Sequence, residues 1–285
     1  MKRKRTNSLQ SSHQQSLSSK RPRTVTDSLY LPDECWESIF KFIIIDGDNI
    51  NNRGYLKSLS LVSKQFLSIT NRLRFSLNVW KPTRPFLQRL FKSCKCLEEA
   101  IIFRCPEVTN VGIASALGEA LTLRSLSFTN YFEPQECSML FDLVKNSPSL
   151  SEIRMEYNFE NSFETSNSFM DLVVRPQLKS LCLTHNSRLR DETIKIFSSI
   201  FPNLQLLDLI NCSGISDEEK GVKHIEENCS QLREINLEGC FQLHDDVVAS
   251  LVFSRPSLRK ITTPALCHFS DTEMELFSHQ GCLVC

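Results

Sequence analysis

Glycine is scarce, with eight residues in a chain of 285. Loops that cradle phosphate need glycine where the backbone bends sharply or approaches a ligand. The chain holds no G-x-x-x-x-G-K-[ST], no G-x-G-x-x-G and no G-x-S-x-G, so nucleotide binding and serine-hydrolase chemistry have no signature here. Long apolar runs are missing too. The longest, IFKFIII from Ile39, is interrupted by Lys41 and is far shorter than a membrane span. The first residues are charged, but SLQSSHQQSLSS behind them is polar, and we expect no secretory signal. Without secretion, the twelve cysteines should stay reduced.

Net charge is also absent, since 33 basic residues balance 33 acidic ones. That balance hides an asymmetry. Residues 1–24 contain Lys2, Arg3, Lys4, Arg5, Lys20, Arg21 and Arg23 and no acid, leaving 26 basic against 33 acidic residues in the body. Residues 1–28 are rich in Ser and Gln and too poor in apolar side chains to offset ordering entropy, so we expect a disordered tail. Its two basic clusters suit nuclear import, which predicts a nuclear protein with a cytoplasmic share. No aromatics interleave the bases, and an acidic body would repel a duplex, so we expect no nucleic acid partner. We expect no membrane partner either.

What is present is a repeat. LQLLDLINCSGISDEE from Leu204 and LREINLEGCFQLHDDV from Leu232 keep one phase. The phase extends through Leu97, Leu123, Leu150, Leu178, Leu204, Leu232 and Leu258, at intervals of 26, 27, 28, 26, 28 and 26 residues. Three residues after each start comes Ala100, Leu126, Ile153, Leu181, Leu207, Ile235 or Ile261. Two further on lie Ile102, Phe128, Met155, Leu183, Leu209, Leu237 and, in the seventh unit, Thr263. Cys105, Tyr131, Asn158, Asn186, Cys212 or Cys240 follows. This spacing predicts a short strand whose alternate residues face a core, then a turn closed by a small polar side chain. Polar residues that can open a helix come next, as in Ser216 with Glu219 and Ser270 with Glu273. Pro148, Pro176, Pro202 and Pro256 stand two residues before a start and should end each return segment. Stacking would bury what one unit cannot bury alone.

These residues resemble the cysteine-containing class of leucine-rich repeats, over about residues 97–280. The resemblance implies an α/β horseshoe, with a parallel concave sheet and helices on the convex side. The match is weakest in unit three, where NFENSFETSNS replaces the usual turn. Residues 76–93 read as an irregular first strand and helix capping the stack, so that 76–285 form one solenoid.

Ahead of it, residues 29–75 have helical spacing. Trp36, Ile39, Phe40 and Ile43 share one helical face, and Leu59, Val62, Phe66 and Ile69 another. LPDECWESIF followed by LSLVSKQF resembles the F-box, through Leu31, Pro32, Glu34, Ile39, Phe40, Leu59, Val62, Ser63 and Lys64. Phe66 stands where Trp is usual, and the link between the two halves is longer than usual. An F-box followed by such repeats resembles plant F-box receptors. The resemblance implies a Skp-type adaptor bound by Leu31, Pro32, Ile39, Phe40, Leu59, Val62 and Phe66. Through that adaptor it implies a cullin–RING ubiquitin ligase of the SCF type, with the repeats holding a protein substrate. The alternative is a repeat scaffold or inhibitor that binds a protein without ubiquitination.

Strand alternation also yields a substrate row on the concave face: Ile101, Phe103, Ser127, Thr129, Arg154, Glu156, Cys182, Thr184, Asp208, Ile210, Asn236 and Glu238. We assign these positions no role in the fold. Phe103 and Arg154 are the expected anchors. Cys94 with Cys96 and Cys282 with Cys285 are short pairs, but neither has a second pair nearby, so we expect no metal and no cofactor. No nucleophile signature accompanies the histidines, and we expect no catalysis. The terminal Cys282-Leu283-Val284-Cys285 also fits a prenylation box, although Cys is not a usual last residue; the plainer reading is an apolar end packed on the last repeat.

Overall fold

The computed structural model describes residues 31–44, 49–103, 110–131, 135–136, 138–157, 163–164, 173–187, 189–217 and 221–285. The basic tail, Cys105, Asn158, Glu219 and most of the unit-three turn lie outside them.

The repeat phase becomes one sheet. Its strands are β1 (Ser76–Trp80), β2 (Glu99–Phe103), β3 (Ser125–Tyr131), β5 (Glu152–Tyr157), β7 (Ser180–Thr184), β8 (Leu206–Asp208), β9 (Glu234–Asn236), β10 (Lys260–Thr262) and β11 (Leu283–Val284). They lie side by side in chain order and every pairing is parallel. Two short strands, β4 (Gln135–Glu136) and β6 (Phe163–Glu164), pair separately. The return helices are α4 (Arg84–Ser93), α5 (Asn110–Leu117), α6 (Ser138–Asn146), α7 (Asp191–Ile200), α8 (Gly221–Asn228), α9 (Asp245–Ser254) and α10 (Asp271–His279). A parallel sheet with crossover helices is the α/β solenoid of leucine-rich repeats.

Register shows why the phase holds. Ala100, Leu126, Ile153, Leu181, Leu207, Ile235 and Ile261 pair in one line across the sheet. All are buried, as are the seven starting leucines. These rows and the inner faces of the helices form one continuous core. The cysteines have a specific use in it. The Cys212 thiol donates to the Leu183 carbonyl (2.9 Å), and the Cys240 thiol to the Leu209 carbonyl (3.3 Å). Each thus meets the third core position of the preceding unit. Just before it the chain takes left-handed φ, at His185, Asn211 and Gly239 in three successive units.

Several helix expectations are met in detail and others are corrected. α6, α7 and α9 end two residues before Pro148, Pro202 and Pro256. Ser270 and Glu273 form a reciprocal capping box on α10. The N–H and hydroxyl of Ser216 both donate to the Asp191 carboxylate, and its expected capping partner Glu219 lies outside the described residues. Residues 76–93 are not irregular, because β1 pairs with β2 residue for residue.

The helical block comprises α1 (Asp33–Ile43), α2 (Asn49–Ser60) and α3 (Lys64–Arg72). It has its own small core of Phe40, Leu56, Ile69 and Leu73, against which Trp36, Ile44, Leu59 and Phe66 pack. Trp36, Phe40 and Phe66 make mutual ring contacts, with centroids 4.7–6.0 Å apart. Both predicted stripes divide. Trp36 and Phe40 turn inward while Ile39 and Ile43 stay exposed. Ser63 accepts the Phe66 N–H and starts a new helix, so Leu59 and Val62 do not share a helix with Phe66 and Ile69.

Candidate interaction surfaces

The first candidate surface is the outside of the helical block. Of the seven predicted adaptor contacts, Leu31, Pro32, Ile39 and Val62 are exposed and Leu59 is half-buried. Phe40 is a correction: at 1 % exposure it belongs to the block's own core and offers nothing to a partner. Phe66 is half-buried and engaged with Trp36 and Phe40. The sequence reading missed two larger features, Phe42 at 91 % exposure and Leu61 at 80 %. Both lie beside predicted positions, and the helical period hid them. Arg72 ties the helices together by reaching Asp33 (3.4 Å) and Glu37 (3.3 Å) on α1. Its charge, with that of Lys41, holds the Glu37 carboxyl below its usual range, the Lys41 hydrogen bond contributing most.

The second candidate surface is the sheet face opposite the helices. The pairing register brings the predicted residues into two lines. One runs Asn78, Ile101, Ser127, Arg154, Cys182, Asp208, Asn236. The other runs Trp80, Phe103, Thr129, Glu156, Thr184. Ile210 and Glu238 lie just past β8 and β9, in the turns. Trp80 was missed, although the alternation of SLNVW would have placed it, once 76–80 was recognised as a regular strand. It stacks on Phe103, with centroids 4.3 Å apart and planes 6° from parallel, and is still 63 % exposed.

Four predicted contacts need correction. Cys182 is fully buried and Thr184 nearly so, which leaves neither a contact surface. Cys182 sits between Arg154 and Asp208 in its line, close enough for both charges to act on the thiol, and burial pushes it up to about 11. Asp208 and Asn236 are partly committed to the fold. The Asp208 carboxylate accepts the Ile210 N–H (3.3 Å), and the Asn236 side chain accepts the Glu238 N–H (3.1 Å). Each thereby braces the turn that enters a left-handed residue. Burial raises the Asp208 carboxyl above its usual range, against the pull of the Ile210 N–H and Arg154. Exposed Arg154 and Glu156 with half-exposed Ile101, Phe103, Ser127 and Thr129 leave the free chemistry at the first half of the sheet.

The cysteine pairs do not converge. Cys94 is buried and Cys96 exposed, as are Cys282 and Cys285 respectively. Cys94 and Cys229 fall in a second register, three residues before a start, where their carbonyls accept the N–H of Leu97 and Leu232. Among the described residues no three ligand-type side chains are grouped to hold a metal ion. No described helix is long and apolar enough to cross a membrane.

No family model matches the chain, and no curated protein matches it. Solved structures do resemble it. Rad7 in the complex "Rad7 and Elc1" from yeast is 16 % identical with a TM-score of 0.49, over 79 % of this chain and 64 % of that one. The TLR13–ssRNA13 complex gives 16 % and 0.49, over 70 % of this chain and 27 % of that one. The mouse RP105/MD-1 complex gives 14 % and 0.35, over 71 % and 36 %. The chain thus spans less than two thirds of the length of each of these chains.

Proposed function

We propose that this protein is the substrate-recognition subunit of an SCF-type cullin–RING ubiquitin ligase: α1–α3 act as an F-box that binds a Skp-type adaptor, and the sheet face holds a protein substrate. The observation that carries this reading is the helical block. Its three helices close a core of four buried residues and leave Leu31, Ile39, Phe42, Leu61 and Val62 in solvent. A block of that size gains little from its own core, and apolar side chains exposed on its outside are what a partner helix would cover. The protein then performs no chemistry. It raises the concentration of a tethered substrate near the transfer machinery. The nuclear location rests on the basic tail, and loss of nuclear accumulation on deleting residues 1–24 is its check.

The test is capture of a recombinant Skp-type adaptor by the full chain. Leu31→Ala with Val62→Asp should abolish capture while the melting temperature stays unchanged, because both side chains are exposed. Undiminished capture by this variant would remove the ligase reading and leave a binding scaffold.

A further inference from the structure

The helix α3 has two faces. Phe66, Ile69 and Leu73, on or just beyond it, turn into the block's core. The other face carries Lys64, Leu67, Ser68, Asn71 and Arg72 at the spacing of one helical stripe. That stripe lines a cleft of about 340 Å³ whose opposite wall is Ser93 and Lys95, from the end of α4 and the turn into β2. The two hydrophobic clusters are separate, so the cleft lies where the helical block meets the repeats.

Its chemistry is one-sided. The lining holds three cationic side chains, two hydroxyls and a carboxamide, and no acid. Arg72 is occupied on its far side by Asp33 and Glu37. Lys64 and Lys95 are exposed, and among the described residues neither ammonium has an ion-pair partner. Two unpaired ammoniums across a cleft from one another repel, and a multiply charged anion between them would relieve that repulsion while Ser68 and Asn71 donate to its oxygens; the Ser93 hydroxyl is committed to the Arg89 carbonyl (2.7 Å). The volume lies at the low end of small-molecule pockets, about 300–1,000 Å³.

We propose that this cleft is a binding site for a phosphoryl oxyanion, with Lys64 and Lys95 supplying the charge and Ser68 and Asn71 the neutral donors. Occupancy ties α3 to the α4–β2 turn, so the ligand fixes the helical block against the repeats. The proposal does not depend on the adaptor reading.

The probe is inorganic pyrophosphate, with phenyl phosphate as a second arm and sodium chloride at matched ionic strength as the control. Pyrophosphate should raise the melting temperature saturably, by about 3 °C at roughly tenfold excess over Kd. A parallel response to phenyl phosphate identifies the ligand as an ester group, and a response to pyrophosphate alone as a free polyanion; both support the site. Lys64→Gln with Lys95→Gln should weaken binding at least about tenfold with an unchanged melting temperature in buffer. Lys64→Arg with Lys95→Arg should retain it. A rise that is linear in anion concentration and equal in the Gln variant is general salting of the folded state and overturns the proposal. So does the absence of any effect on the wild-type chain.

Discussion

The carboxylate of Asp191, at the start of α7, accepts both the N–H (3.1 Å) and the hydroxyl (3.0 Å) of Ser216 in the following repeat. Asp191 is 1 % exposed, and Gly221 closes over it so tightly that a Cβ there would lie 2.0 Å from one carboxylate oxygen. Burial raises its carboxyl above the usual range, partly offset by the donors from Ser216 and Gly221. The next acid repeats the device, since the Asp217 carboxylate accepts the His244 N–H (3.1 Å).

Asp191→Ala should therefore cost about 1–3 kcal/mol, the penalty for leaving the donors of the next turn without an acceptor. Gly221→Ala should also destabilise, because its methyl cannot coexist with the carboxylate where it stands. Urea unfolding of both variants checks this, and their double variant should cost less than the sum, since both act on one contact. A full sum would show that they act independently.

Thiol labelling should divide the described cysteines sharply. Burial pushes Cys240 and Cys229 up to about 12 and raises Cys212 as well. At pH 8 a thiol of that kind is thiolate in only about one molecule in ten thousand. Cys35, Cys96 and Cys285 are exposed and should react within the mixing time of a native experiment. Mass spectrometry of the labelled peptides reads the outcome. Early modification of Cys212 and Cys240 would contradict the observed register.

His244 makes a close contact to the Asp217 carboxylate, which raises its pKa above 6.5, the hydrogen bond first and the charge second. A histidine raised in the folded state contributes stability that is fully present below the unfolded pKa and fades as pH rises through the folded one. The melting temperature should thus fall on going from pH 6 towards pH 8, and His244→Gln should flatten that slope. An identical slope in the variant would assign it to other groups.

On the sheet face, Trp80→Ala with Arg154→Glu should release a captured substrate without disturbing adaptor capture or melting, since both side chains are exposed. The aromatic stack supplies area and the arginine supplies charge, which are the usual anchors of an interface. A substrate still retained by this variant would be held elsewhere on the chain.

Much of this was readable from leucines alone. A parallel solenoid makes the same demand in each unit, so seven starts kept phase and all seven are buried. Alternation gives the side of a strand but not the depth of a side chain, which is why Cys182 and Thr184 were placed on the right face and credited with a surface they lack. The commitment of Asp208 and Asn236 is invisible in the sequence because their hydrogen bonds go to backbone two residues ahead, and backbone leaves no mark in a pattern of side chains. In the helical block a period of 3.6 was carried across Leu61 and Val62, where the chain in fact turns. Trp80 escapes the pattern for the opposite reason: its strand has no matching leucine start, yet it pairs regularly with β2.

The thiol bonds and the acid contacts cross the same two boundaries. Cys212 to Leu183 and Asp191 to Ser216 join units four and five, and Cys240 to Leu209 and Asp217 to His244 join units five and six. In all four the donor lies in the later unit and the acceptor in the earlier one. Coupling between neighbours in a linear array sets how far a local opening spreads. Where strand pairing in units four to six shortens to three residues, these side-chain bonds join the units on both sides of unit five, so opening that unit alone must break both sets.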